Sequence, residues 1–324
     1  MYHVDSWLRV LLVMIALVGP RLSGCYFRET IDTLVHVMQH YDHAGKIQDV
    51  LGANAITTNR LLLLYCCHSM VIAVTMWICT EQPISTLLLA NYLAPYATIT
   101  VYTLLYQTLL SSICSIVSCL NDTLLEVTLL DKKHSARPYE KHTTISYISL
   151  DNVKQLVKHN LQVDVATIEK LSILHIALMH VVRDGNKQFG VLMLMILLSS
   201  FIQINMVLIE LYHNISHPML PEYSLWIYFL HALIHFTFFL TIAKSNHSIQ
   251  QQNERTMLLL HEFKCSWSSE QNMVIEHYIS QICNLHDIHQ ACGMITLDMK
   301  LISNVVAAIT SIMVVLIQFS DTGL

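Results

Sequence analysis

Three polar side chains, Asn304, Ser311 and Gln318, stand seven residues apart inside an apolar C-terminal stretch. On an α-helix that spacing places them on one stripe, drifting by only about 20° per heptad. Polar groups at membrane depth are costly unless they face water or a partner helix. The stripe can therefore line a wet pathway between subunits, or it can join helices by hydrogen bonds. A second chemistry is suggested by the 19 His residues. His36, His40 and His43 form HxxxHxxH, His231 and His235 are four apart, and His286 with His289 forms HxxH. Imidazole suits iron, so a membrane di-iron desaturase or hydroxylase is an alternative reading. Such enzymes carry adjacent His pairs, and this chain has no HH dipeptide. The reading adopted is not an enzyme, with no cofactor and no metal. The nine Cys residues are scattered and include no CxxC; Cys66, Cys67, Cys79 and Cys114 lie in or beside apolar runs, as packed free thiols do.

The elements that position these residues are membrane helices. Of 324 residues, 54% are hydrophobic and 13% charged, and the mean hydropathy is +0.49. Soluble domains carry roughly 25% charged residues, so too few polar side chains remain to cover a water-exposed surface. There is no linker, low-complexity tract or fixed-period repeat, which predicts one domain over 1–324. A span needs about 20 apolar residues, and five stretches meet this: 61–80, 87–113, 189–212, 223–243 and 299–319. A sixth, 7–26, is interrupted by Gly19-Pro20-Arg21 and resembles a signal peptide in part, but the charges that follow it oppose that reading.

Lys and Arg assign the sides of the membrane. Basic residues fill three long segments, about 27–60, 114–188 and 244–298, with nine of them between Lys132 and Lys187. The short connections 81–86 and 213–222 have none. The three long segments are thus expected in the cytoplasm and both termini outside. The sequon Asn214-Ile215-Ser216 falls in an expected outer loop and is the candidate glycosylation site; those at Asn121 and Asn246 fall on the expected inner side. Within the inner segments, 148–183 and 250–288 alternate charged and apolar residues at helical spacing, which predicts helices that continue below the membrane as a cytoplasmic bundle.

The run Ala291-Cys292-Gly293-Met294-Ile295-Thr296-Leu297-Asp298, followed by 308–319 ending in Gln318-Phe319, resembles the C-terminal signature of insect gustatory receptors. That signature joins an Ala-Cys-Gly block, a Leu-Asp pair and a final helix reading Thr-Tyr, five apolar residues and Gln-Phe. Here Ser311-Ile312 stands for Thr-Tyr, keeping the hydroxyl and losing the ring. The family has seven spans with an internal N-terminus, the reverse of G-protein-coupled receptors; six spans with an external N-terminus fit if the family's first is missing.

The resemblance implies a taste receptor in the plasma membrane of chemosensory neurons, acting as a ligand-gated, non-selective cation channel. It implies four like or related subunits around one pore, with Asn304, Ser311, Ile317, Gln318 and Phe319 as pore-lining candidates. A small-molecule tastant would enter from outside among the spans, where Trp77, Tyr92, Tyr96, Tyr102, Gln203, Glu210, Trp226 and His231 supply aromatic and polar walls. Partners are thus the tastant, the lipid bilayer and other subunits, with no nucleic acid. A G-protein-coupled receptor is opposed by the external C-terminus and by missing Asp-Arg-Tyr and Asn-Pro-x-x-Tyr motifs. A secondary transporter would show internal symmetry or Gly/Pro-broken spans, and the six Pro residues stand mostly at span ends.

Overall fold

The computed structural model describes residues 46–79, 86–135, 150–216, 222–264, 269–285, 290–291 and 293–321, together with Met14 and Asp32. The expected first span and His36, His40, His43, His286 and His289 lie outside the described residues. Among the described residues the architecture is helical except for one small hairpin. The order is α1 (Lys46–Cys79), α2 (Thr86–Ser135), α3 (Leu150–Ser216), α4 (Glu222–Lys264), α5 (Ser269–Cys283), β1 (Gln290–Ala291), β2 (Ile295–Thr296) and α6 (Met299–Asp321).

At 1.5 Å per residue, the 50, 67 and 43 residues of α2, α3 and α4 run about 75, 100 and 65 Å. All exceed the roughly 30 Å hydrocarbon thickness of a bilayer, so each helix continues beyond the membrane. Leu93–Leu125, Ile168–Ser216 and Leu225–Glu262 contain stretches long and apolar enough to cross. Large apolar side chains are exposed on several of these helices, among them Leu63, Met70, Val101, Val191, Leu198, Phe229 and Leu233. Lipid is the solvent that accepts such surfaces, and the chain is an all-α membrane protein.

α2 packs against α1, α3 and α4, and α3 against α4. Two apolar cores result. The larger, built around Tyr65, Tyr106, Ile113, Leu178, Met193, Ile196 and Phe238, runs through the spans. The smaller joins Leu124, Ile168, Leu171, Leu259, Leu260, Ile275, Tyr278 and Ile282 from α2, α3, α4 and α5. This second core is the helical bundle that the charged and apolar alternation of 148–183 and 250–288 predicted.

Polar networks tie the same helices together. The Tyr106 hydroxyl donates to Asn186 Oδ1 at 2.5 Å and accepts from Asn246 Nδ2 at 2.7 Å. Asn186 Nδ2 closes the triangle on Asn246 Oδ1 at 3.2 Å. Beside it Gly185 lets α3 approach α2, because a Cβ there would stand 3.3 Å from Leu109 Cδ2. Further along, Asn121 Nδ2 donates to the backbone and side-chain oxygens of Gln252, and the Thr256 hydroxyl donates to Asn121 Oδ1. Asn121 and Asn246, at 1% exposure each, are therefore structural residues within sequons that a glycan cannot reach.

Candidate functional site

Midway along the spans, four helices bring imidazole and aromatic rings together. α1 supplies Tyr65 and His68, α2 supplies Tyr96, α3 supplies Ser200, and α4 supplies His231, His235 and Phe238. The local reasons are simple. Tyr65 and His68 stand three residues apart, and His231 and His235 four apart, so each pair shares one helix face. His235 and Phe238, again three apart, continue that face of α4. Tyr96 follows Pro95, which denies α2 one backbone hydrogen bond at this level.

His68 Nε2 faces His231 Nδ1 at 3.4 Å, and His235 Nδ1 faces the Ser200 hydroxyl at 3.3 Å. The Tyr96 ring lies 5.4 Å from His68, 6.1 Å from His231 and 5.5 Å from His235, the last edge-on. Tyr65 stacks on Phe238 at 4.8 Å and closes one wall. His68 is 4% exposed, and its Nδ1 has no hydrogen-bond partner among the described residues. A buried ring nitrogen without a partner is costly.

Of the eight residues expected to contact ligand, the structure gathers Tyr96 and His231 in this cluster. Gln203 is buried on α3 one turn beyond Ser200, and Tyr102 is half-buried two turns along α2 from Tyr96. Glu210 lies near the end of α3, half-buried. Trp226 is 74% exposed, its ring edge-on to Phe229 at 6.5 Å, an arrangement suited to the interfacial belt. The side chains of Trp77 and Tyr92 lie outside the described residues. Sequence reasoning passed over Tyr65, His68, Ser200, His235 and Phe238. The signal for His68 was a lone ionisable residue inside an apolar run; His235 was noticed only as half of a metal pair. Among the described residues no group of three or more His, Cys, Asp or Glu side chains is arranged to hold a metal ion; His235 is turned to Ser200 and to the rings around it.

The last helix begins from the hairpin. β1 pairs antiparallel with β2, Gln290 opposite Thr296, and Gly293 turns the chain with φ of 67°. A side chain is disfavoured in that left-handed conformation. Ala291 and Leu297 are fully buried, and β1 packs on α3. Asp298 Oδ1 then accepts from the backbone N–H of Lys300 at 3.0 Å and of Leu301 at 3.2 Å. These are the second and third residues of α6, so Asp298 is its N-cap. Ala291, Gly293, Leu297 and Asp298 thus have mechanical roles.

Leu301, Ile302, Val305 and Ile309 turn one face of α6 to the main core, where it packs on α3 and α4. Asn304, Ser311 and Gln318 are exposed, roughly 115–155° around the helix from that face at 100° per residue. The Ser311 hydroxyl donates back to Ala307 O at 2.9 Å. Ile317 is half-buried; the side chain of Phe319 lies outside the described residues.

The geometry is that of a membrane-embedded helical bundle with a ring-lined polar cluster between its helices. Residues 1–323 match the family model described as "7tm Chemosensory receptor", and the chain belongs to that family. It is similar to "Putative gustatory receptor 59f" of Drosophila melanogaster, 25% identical over 159 residues, covering 49% of this chain and 39% of that protein.

Proposed function

We propose that the chain is a gustatory-type receptor subunit that binds a small molecule in the cluster of His68, Tyr96, His231 and His235, and that it conducts cations along a pathway lined by α6. The similarity to a protein named as a gustatory receptor favours taste over other chemical senses. The observation that carries the conduction reading is the exposed stripe of Asn304, Ser311 and Gln318 on a helix whose opposite face is packed. One such helix from each of four subunits, like or related, would enclose a wet axis. Ile317 and Phe319, flanking Gln318, would narrow it. The basic inner segments support cytoplasmic placement of the α2–α5 bundle, external placement of Asn214, and six spans with both termini outside. The proposed location is the plasma membrane of chemosensory neurons.

The test is whole-cell current from the expressed chain, alone and with related subunits, against a tastant panel. The expected result is an evoked cation current whose relative permeabilities change in Gln318→Ala. A current with unaltered permeation and block in Gln318→Ala, Ser311→Ala and Asn304→Ala would place the pathway elsewhere.

A further inference from the structure

Charge picks out one level of the bundle. Between Lys187 and Glu210 in α3, between Glu222 and Lys244 in α4, and between Lys300 and Asp321 in α6 there is no Asp, Glu, Lys or Arg. At 1.5 Å per residue the charges of each pair stand about 35, 33 and 32 Å apart, against a hydrocarbon thickness of roughly 30 Å. Each of these helices therefore meets the hydrocarbon with a base at one boundary and an acid at the other. In α1 the uncharged stretch 61–79 opens in the same way, directly after Arg60.

Contacts between helices set three of the bases side by side. Asn186, next to Lys187, and Asn246, two residues after Lys244, both meet the Tyr106 hydroxyl. Asn54 meets Ser115 and Thr58 meets Thr108, an antiparallel register that sets Arg60 opposite Tyr106. Arg60, Lys187 and Lys244 thus lie within about 3 Å of one level along the bundle. Lys300 takes the same place in α6 by the length of its uncharged run, in the turn that Asp298 caps.

All four basic side chains are exposed, and among the described residues none of them forms an ion pair. Arg183, one turn further from the membrane on α3, differs in being matched by Asp184 at 3.7 Å. A basic side chain at the end of an apolar span lays its stem along the lipid and extends its charge to the headgroups. Four unmatched cations at that level are complementary to headgroups of net negative charge. Phosphocholine, which carries its own cation, offsets them less. The acids at the far boundary repel the same headgroups, so the complementarity belongs to one leaflet.

We propose that Arg60, Lys187, Lys244 and Lys300 form a collar that binds anionic phospholipid in the leaflet facing the α2–α5 bundle. The collar surrounds the Tyr106 triangle, so lipid held there braces the helices where that network joins them. Assigning the leaflet to the cytoplasm, where anionic lipid is concentrated, rests on the orientation proposed above; the lipid selectivity does not.

The experiment measures selectivity alone, on the full chain purified in mild detergent. Its melting temperature is followed as the micelles are doped with dioleoylphosphatidylserine or dioleoylphosphatidylcholine, with inorganic phosphate as a lipid-free arm. A lipid that binds the folded chain raises the melting temperature. The expected result is saturable stabilisation by the phosphatidylserine, weak or absent for the other two, and reduced in 0.5 M salt as screening requires, on the order of a 3–4 Å Debye length. Lys187→Gln and Lys244→Gln should each raise the half-saturating lipid fraction about fivefold, the worth of one basic side chain at a charged membrane surface. Lys187→Arg and Lys244→Arg should leave it unchanged. The fourfold glutamine variant should lose the preference altogether; if it does not elute as a monodisperse peak, the Lys187→Gln/Lys244→Gln pair is measured in its place. Equal stabilisation by the two lipids, or a phosphatidylserine effect indifferent to these substitutions, would overturn the collar. Stabilisation by inorganic phosphate that the glutamine variants abolish would overturn lipid as its occupant.

Discussion

Replacing Tyr106 by Phe removes one oxygen and leaves the ring where it is, packed edge-on to Phe189 at 5.9 Å. The lost hydroxyl is the corner of the triangle that joins α2 to α3 and α4, through Asn186 and Asn246. Two hydrogen bonds go with it. Asn246 Nδ2 retains the Ile242 carbonyl at 3.1 Å, and Asn186 Nδ2 retains Asn246 Oδ1. At about 0.5–1.5 kcal/mol net per bond, the expected destabilisation is about 1–3 kcal/mol. Interhelical bonds in bilayers average only about 0.6 kcal/mol, which sets the low end near 1. The assay is equilibrium unfolding in mixed micelles for the wild type, Tyr106→Phe, Asn246→Leu and the double variant. Because the residues share one network, the double variant should lose less than the sum of the singles, with a coupling energy of at least about 0.5 kcal/mol. Additivity within about 0.3 kcal/mol, the behaviour of independent sites, would refute the network as the fastening of these helices.

His175 lies fourteen residues before Phe189, in the bundle beyond the span, with Nε2 3.0 Å from Asn253 Oδ1 and its ring edge-on to Tyr278. Burial lowers it to about 4 from its ordinary 6.5. The folded value is the lower, so the unfolded chain takes up the proton first as pH falls. Stability is therefore full above about 6.5 and declines toward pH 4, by at most about 3 kcal/mol at 1.36 kcal/mol per unit. Melting temperatures of the wild type between pH 7.5 and 4.5 should show this fall, and His175→Gln should flatten it. At the other end of α3, expression in a glycosylating cell should give a glycosidase-sensitive band that Asn214→Gln abolishes. Asn121→Gln and Asn246→Gln should leave that band unchanged, since both side chains are 1% exposed.

The three long apolar helical stretches were legible because length and apolarity are local quantities, and a run such as 189–212, inside Ile168–Ser216, declares itself. The bundle beyond the membrane was legible for a related reason, since its alternation of charged and apolar residues has a helical period. The ring cluster was only half legible. Tyr96 and His231 were chosen for ring chemistry and depth, but what joins them to His68 and Ser200 is the packing of α1, α2, α3 and α4 against one another, a tertiary fact without a sequence period. The role of Asn246 was hidden for the same reason: its sequon, set aside for falling on the expected inner side, says nothing of the amide that the fold buries against Tyr106. The hairpin at 290–296 has strands of two residues each, too short for an alternation to register, so its residues stood out as a resemblance before they had a structural meaning.

That meaning bears on how the site and the last helix are connected. Ala291 and Leu297 have no exposed surface, β1 rests on α3, and Asp298 fixes the first turn of α6 by two backbone hydrogen bonds. The core face of α6 then packs on α3 and α4. Those are the two helices that carry Ser200, His231 and His235. A displacement of α4 relative to α3 therefore acts on α6 twice, at its buried face and at the hairpin that sets where it begins. The stripe of Asn304, Ser311 and Gln318 lies on the exposed side of α6, away from those contacts, and moves with the helix. Loosening the hairpin should uncouple the site from the stripe while leaving each intact, because neither His68 nor Gln318 belongs to it.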